Sequence, residues 1–249
     1  MKKNMLLAWG VAAWTGLLSL GAFAGAADYA RERKWADEIL PSLVVGDPVM
    51  LQTPRGHHKF LTLYTPADTD RAAIVVHGMG IHPDWGMVGT LRTALADHGV
   101  ATLSIQMPIL AADARGEDYP PTFPEAAERI AEAVAFLKAK GYANIAVVSH
   151  SMGSRMSLEY FSGKPDPGVK SWASLGPSFK GYAPVKLPIL DLYGANDLPA
   201  VLGNAGSRKG SLSSPGSKQV VIEKSDHFFT GHEAAMVGAV TDFLDATLK

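Results

Sequence analysis

Ser151 lies in a sequence pattern that is typical of a reactive nucleophile. An apolar run, residues 145–148, leads directly into Ser149-His150-Ser151-Met152-Gly153, and a helix-forming segment follows. A strand, a sharp turn and a helix in this order lift a serine Oγ above the sheet edge, and small residues two positions away let the backbones pass closely. Ser149 stands where such turns normally have glycine, so the match is incomplete. Ser149 itself fits the nucleophile position less well, because the larger Val147 would then occupy a small-residue position.

A serine hydroxyl needs a base to remove its proton and an acid to orient that base. His227 follows the last predicted strand, residues 218–223, and Asp197 follows the strand before it. Asp191 is the alternative acid, but it lies within a strand, whereas a loop carboxylate can reach across to the histidine. The order of these residues along the chain therefore predicts a catalytic triad of Ser151, Asp197 and His227.

Backbone amides that could stabilise a negative charge are predicted at two places. His77-Gly78-Met79-Gly80 follows a buried strand, residues 72–76, and its glycines let the backbone amides turn towards a reacting group. The amide of Met152, at the start of the helix after Ser151, is the second predicted donor. Such an oxyanion hole is usually the largest single catalytic contribution, about 3 kcal/mol for each donor.

Composition excludes several classes of protein. The chain has 249 residues, a formal net charge of −1 and no cysteine. The nearly balanced charge argues against a nucleic-acid partner, and the absence of cysteine excludes disulfides, a thiolate nucleophile and thiolate metal ligands. His77, His82 and Asp84 do not have the spacing of a strong metal site. We therefore expect neither a metal nor an organic cofactor.

Residues 1–26 have the layout of a secretory signal peptide. Lys2 and Lys3 precede an uncharged, apolar run that ends in two possible cleavage patterns, Ala22-Phe23-Ala24 and Ala24-Gly25-Ala26. We predict cleavage, export to the periplasm or the exterior, and no stable membrane insertion of the mature protein. The alternative is an uncleaved membrane anchor, for which the run is long enough.

The remaining residues, 27–249, are predicted to form a single domain. Two strand patterns, residues 44–52 and 59–65, flank turn residues and predict an antiparallel hairpin. Buried strand patterns then alternate with helical ones, which indicates an α/β fold with a mostly parallel, doubly wound sheet and no large lid domain. The glycine- and serine-rich residues 203–217 predict a flexible surface loop.

Taken together, these motifs resemble the serine α/β-hydrolase superfamily over about residues 45–249. More narrowly, residues 76–85 (VHGMGIHPDW) and 102–108 (TLSIQMP) are similar to a poorly characterised bacterial family of exported α/β-hydrolase-like proteins. The superfamily hosts many reactions, so the resemblance does not imply a substrate. It implies the following roles: Ser151 as nucleophile, Asp197 as acid, His227 as base, and Met79 and Met152 as donors of oxyanion amides.

The sequence thus predicts an exported serine hydrolase, an esterase that acts on a small acyl ester through an acyl-enzyme intermediate. The competing hypothesis is a catalytically silent binding protein of the cell envelope that keeps the fold, and it is favoured by Ser149. The loop of residues 107–123 is expected to form a partial lid, and the oligomeric state stays open. Candidate pocket residues are Gly78, Gly80, His82, Trp85 and Met107.

Overall fold

The computed structural model describes residues 27–249, so the predicted signal peptide lies outside the described residues. Within these residues, eight strands form one sheet with helices on both faces. The strands are β1 (Asp47–Gln52), β2 (Lys59–Thr65), β3 (Arg71–Val76), β4 (Ala101–Ile105), β5 (Asn144–His150), β6 (Val169–Leu175), β7 (Ile189–Gly194) and β8 (Lys218–Ile222). The α-helices are α1 (Tyr29–Ile39), α2 (Gly86–Asp97), α3 (Phe123–Ala139), α4 (Met152–Ser162), α5 (Pro199–Ser211) and α6 (Glu233–Thr247).

The strand order in the sheet is β1-β2-β4-β3-β5-β6-β7-β8. Strands β1 and β2 form an antiparallel hairpin, β2 pairs antiparallel with β4, and all other neighbours are parallel. The predicted α/β sheet with an amino-terminal hairpin is therefore confirmed. Because β4 and β5 lie on opposite sides of β3, the loops after β3 and β5 meet at the carboxyl edge, where such sheets place their sites.

The central strands are buried on both faces because helices cover each side. Ile74 and Val147 face the layer that contains α3 and α4, whereas Val75 and Val148 face the layer that contains α2 and α6. All four side chains are at most 2% exposed. This burial explains why the sequence of β3 is continuously apolar, since alternate side chains of a strand point to opposite faces.

The prediction of a flexible loop over residues 203–217 is wrong for residues 203–211, which belong to helix α5, whereas residues 212–217 form the connection to β8. Pro199 suits the first turn of a helix, since its ring fixes φ and its missing N–H is not needed there. The helix is held by tertiary contacts, with Val201 and Arg208 fully buried. These contacts outweigh the low helix propensity of glycine and serine.

The loop of residues 107–123 is fastened to helix α1. The backbone N–H of Asp28 donates to the Ile109 carbonyl at 2.6 Å, and Arg31 donates to the Leu110 carbonyl at 2.6 Å. The Ile109 N–H in turn donates to the buried Glu32 carboxylate. The expected partial lid is therefore not seen, and no lid is evident anywhere in residues 27–249. In the same range, each helix is too short or too polar to cross a bilayer.

Candidate active site

Ser151, Asp197 and His227 come together at the carboxyl edge of the sheet. His227 Nε2 lies 2.9 Å from Ser151 Oγ, and His227 Nδ1 lies 2.6 Å from Asp197 Oδ1. The carboxylate can only accept, so Nδ1 carries the proton and Nε2 is free to accept the serine hydroxyl proton. Three residues separated by up to 76 positions therefore form one hydrogen-bonded chain.

The serine is held in a strained backbone conformation between β5 and α4. Its φ is +54° and its ψ is −120°, a conformation that L-residues rarely adopt outside functional sites. The Ser151 N–H donates to the Leu175 carbonyl at 2.8 Å, which fixes the turn against β6. A side chain at position 153 would overlap the His77 carbonyl, so only glycine allows α4 to pass so close to β3.

The departure from the usual pattern at Ser149 has a structural explanation. Ser149 is 1% exposed, and its Oγ accepts the indole N–H of Trp172 at 2.7 Å and contacts Ser154 Oγ at 3.1 Å. Trp172 is a large, fully buried side chain whose N–H needs an acceptor. Ser149 is thus a buried hydrogen-bonding residue, and it does not alter the turn that carries Ser151.

Asp197 is fixed by its own loop. Its Oδ1 accepts the Leu198 N–H at 2.7 Å, and its Oδ2 lies 3.4 Å from the Gly194 nitrogen. The side chain has no exposed surface. Gly176 closes the site from the end of β6, where a side chain would come within about 3 Å of the His227 ring. The carboxylate therefore has one orientation, with Oδ1 directed at the histidine.

The alternative acid, Asp191, lies elsewhere. It is fully buried in β7, where it contacts Arg208 Nε at 3.0 Å and Gln219 Nε2 at 2.7 Å. Burial raises the pKa of the Asp191 carboxyl, and the charge of Arg208 opposes that shift. Asp191 therefore fixes α5 against the sheet, whereas Asp197 contacts the histidine.

The predicted oxyanion loop is oriented by His77. The fully buried His77 ring donates from Nδ1 to the Gly78 carbonyl at 2.8 Å and accepts the Met107 N–H at Nε2 at 2.9 Å. Burial lowers the pKa of His77 to about 3, so the ring is neutral. In a trans peptide the N–H points opposite to the carbonyl, so the Met79 N–H points away from His77.

The two predicted oxyanion donors have no other role in the described residues. Neither the Met79 N–H nor the Met152 N–H donates to another group of residues 27–249. Met152 is the first residue of α4, where a backbone N–H lacks an acceptor within its helix. Both donors are therefore available to a ligand at Ser151.

A cavity of about 270 Å³ opens at Ser151 and His227. Of the predicted pocket residues, Gly78 lines this cavity. Trp85 does not line it, but its ring centroid lies 5.1 Å from that of Phe228, which does. The other lining residues are Met79, Ile81, His150, Leu198 and Phe228.

The other residues that were predicted to line the pocket do not line this cavity. Met107 has no exposed surface and lies in the core, and Gly80 is not among the lining residues. His82 packs against Trp35 and accepts the Asp84 N–H. Leu198 and Phe228 were missed, although each directly follows a residue of the predicted triad, and that adjacency is the one signal that could have indicated them.

His150 contacts His227 directly. Its Nε2 donates to the His227 carbonyl at 2.9 Å, and the two ring centroids are 4.7 Å apart. Burial lowers the pKa of His150 to about 4, and the His227 ring acts in the same direction. The expectation that His150 packs and hydrogen-bonds is consistent with these contacts. In the described part of the chain, no three His, Asp or Glu side chains are grouped to hold a metal ion.

Comparison with solved structures shows the α/β-hydrolase fold. A dienelactone hydrolase from Anabaena variabilis is similar over 82% of this chain and 99% of its own, with a TM-score of 0.67 and 18% identity. The esterase Pf2001 from Pyrococcus furiosus covers 83% of this chain and 98% of its own, with a TM-score of 0.63 and 13% identity. The esterase domain of a Rhodothermus marinus protein covers 82% and 99%, with a TM-score of 0.61 and 18% identity.

Comparison of sequences gives less information about this protein than comparison of structures. A family model described as "Protein of unknown function (DUF3530)" matches residues 47–126. That range includes both segments, residues 76–85 and 102–108, on which the narrower resemblance rests, but its description states no activity. Comparison with curated protein sequences finds no match.

Proposed function

We propose that this protein is an exported serine hydrolase that cleaves carboxylic esters through an acyl-enzyme intermediate. The observation that carries the proposal is the continuous hydrogen-bonded chain from Ser151 Oγ through the His227 ring to Asp197. It lies beside two free backbone donors and an open cavity. The similarity of the fold to esterases supports the same reaction class, although a fold alone does not determine activity.

The geometry supports a two-step reaction. Ser151 Oγ attacks the ester carbonyl carbon while His227 Nε2 takes the hydroxyl proton, and the Met79 and Met152 amides stabilise the oxygen that becomes negative. The intermediate collapses with breakage of the C–O bond, and His227 returns the proton to the leaving alcohol. A water molecule, deprotonated by the same nitrogen, then attacks the acyl-serine; the bond from the acyl carbon to Ser151 Oγ breaks, His227 returns the proton to Oγ, and the acid is released.

Labelling with a fluorophosphonate tests the proposal. We expect stoichiometric labelling of the full chain, loss of labelling in Ser151→Ala, and normal labelling in Ser162→Ala, which removes an exposed hydroxyl from the same helix. Thermal unfolding confirms that each variant is folded. A folded wild-type protein that neither reacts with the probe nor cleaves any acyl ester would sink the hydrolase proposal in favour of the silent binding protein.

A further inference from the structure

Exposed apolar side chains surround the mouth of the cavity. Met79, Leu198 and Phe228 line the cavity, and they remain 43%, 49% and 39% exposed. Large apolar side chains grouped around a site mark a binding surface, because water is readily displaced from them. Their exposure at the entrance therefore indicates a binding surface for an apolar group of the ligand.

Leu202 extends this surface along helix α5. Its backbone N–H donates to the Leu198 carbonyl at 3.1 Å, so the two residues lie one helical turn apart and share a face. Leu202 is 39% exposed, whereas its neighbour Val201 is fully buried. We call Met79, Leu198, Leu202 and Phe228 the apolar rim.

The cavity itself is small for the reaction that it serves. Its volume of about 270 Å³ lies below the range of about 300–1,000 Å³ that is common for ligand pockets. It must hold the reacting ester group beside Ser151, which leaves room for a short chain. Any longer chain has to leave through the mouth, and there it meets the apolar rim.

We propose that the apolar rim is a subsite for an unbranched alkyl chain of the ester, so that the preferred substrates carry a medium-length chain. This inference rests on the proposed function. The first carbons of the chain lie in the cavity, and the remainder lies over Leu198 and Leu202. Both leucines belong to the segment that follows Asp197. Because they contact the alkyl chain and not the reacting atoms, they are specificity-determining residues that take no part in the chemistry.

The expected signature is a dependence of kcat/KM on chain length. Each methylene that becomes fully buried should raise kcat/KM about fourfold, which corresponds to about 0.8 kcal/mol. Carbons on the rim stay half exposed, so their increments should be smaller, about twofold. Beyond the length of the rim, kcat/KM should stop rising.

The test uses the full chain and two ester series, one lengthened in the acyl part and one in the alcohol part, both below their critical micelle concentrations. In the series that shows the dependence on chain length, we compare kcat/KM for the ester with a ten-carbon chain with kcat/KM for the ester with a two-carbon chain. Leu202→Ser should lower this ratio by about 3- to 10-fold. Leu202→Met, which restores apolar surface, should recover the ratio. Met50→Ser removes an apolar side chain that is 52% exposed on β1, at the far edge of the sheet, and should leave the ratio unchanged.

Three results would overturn the subsite. One is a flat dependence on chain length together with normal hydrolysis of short esters, which leaves the proposed function intact. Another is an unchanged ratio in Leu202→Ser. The third is a preference for long chains that appears only above the critical micelle concentration, which would assign the rim to a lipid surface instead. Hydrolysis of neither series, without fluorophosphonate labelling, would refute the proposed function itself.

Discussion

The 2.6 Å hydrogen bond between His227 Nδ1 and Asp197 Oδ1 determines which ring nitrogen carries the proton. In Asp197→Asn, the amide can donate to Nδ1, which moves the ring proton to Nε2. A protonated Nε2 can no longer accept the hydroxyl proton of Ser151. We expect kcat to fall by about 10³- to 10⁴-fold with little change in KM. Steady-state kinetics on a short ester measures both constants.

The matched control for this change is Asp226→Asn. Asp226 directly precedes His227, but its carboxylate accepts the N–H groups of Phe228 and Thr230 and does not contact the ring. The control should keep most of the wild-type kcat. Equal rates for the two variants would show that Asp197 does not set the ring orientation.

His150 should make folding stability dependent on pH. Its pKa is about 4 in the folded protein and about 6.5 in the unfolded chain. Below pH 6.5 the unfolded chain binds a proton that the folded protein does not, so stability is lost as the pH falls from 6.5 towards 4. Between pH 7 and pH 5, this histidine alone should lower the free energy of unfolding by about 2 kcal/mol.

Urea unfolding of His150→Gln at both pH values isolates this contribution. The variant should lose about 2 kcal/mol less than the wild type between pH 7 and pH 5. His57→Gln, which changes an exposed histidine, should behave as the wild type does. If the stability of His150→Gln and that of the wild type depend on pH in the same way, then His150 is protonated in the folded protein at pH 5. Its burial would then not be the cause of the loss of stability.

At the scale of elements, helix α5 is held by the buried ion pair of Arg208 and Asp191. Arg208→Met leaves a carboxylate buried without its cation, which typically costs 3–5 kcal/mol, so we expect a loss of about that size in the free energy of unfolding. Because α5 begins two residues after Asp197, a loosened helix should also lower kcat. Urea unfolding and ester hydrolysis measure the two effects.

Two further variants separate the ion pair from the helix. Lys209→Met changes an exposed residue of the same helix and should be nearly neutral. Arg208→Met combined with Asp191→Leu removes both charges and should recover most of the stability, since well-packed apolar residues can replace a buried pair. A double variant as unstable as Arg208→Met would show that packing of the arginine side chain is what matters.

At the scale of the whole molecule, the predicted export can be read from the mass of the protein. The two cleavage patterns place the new amino terminus at Gly25 or Ala27. Expression of the full chain with its own amino terminus in a bacterial host should give one of these two masses in the periplasmic fraction. An unprocessed mass in the membrane fraction would instead establish the alternative, an uncleaved anchor.

The sequence alone determined the fold class and the order of the catalytic candidates. Buried strand patterns such as residues 72–76 depend on local periodicity, and the triad candidates depend on their positions after strands. Both kinds of signal lie within a few consecutive residues. The structure accordingly agrees with the strand bounds to within about three residues and places Ser151, Asp197 and His227 in contact.

Only the tertiary structure decided the features that depend on contacts between distant segments. Helix α5 forms from a glycine-rich segment because Arg208 contacts Asp191. The loop after β4 is held in place by hydrogen bonds to α1. The role of Ser149 depends on Trp172, 23 residues away. The cavity walls likewise come from four different loops and helix ends, so neither their shape nor the apolar rim could be deduced from local sequence patterns.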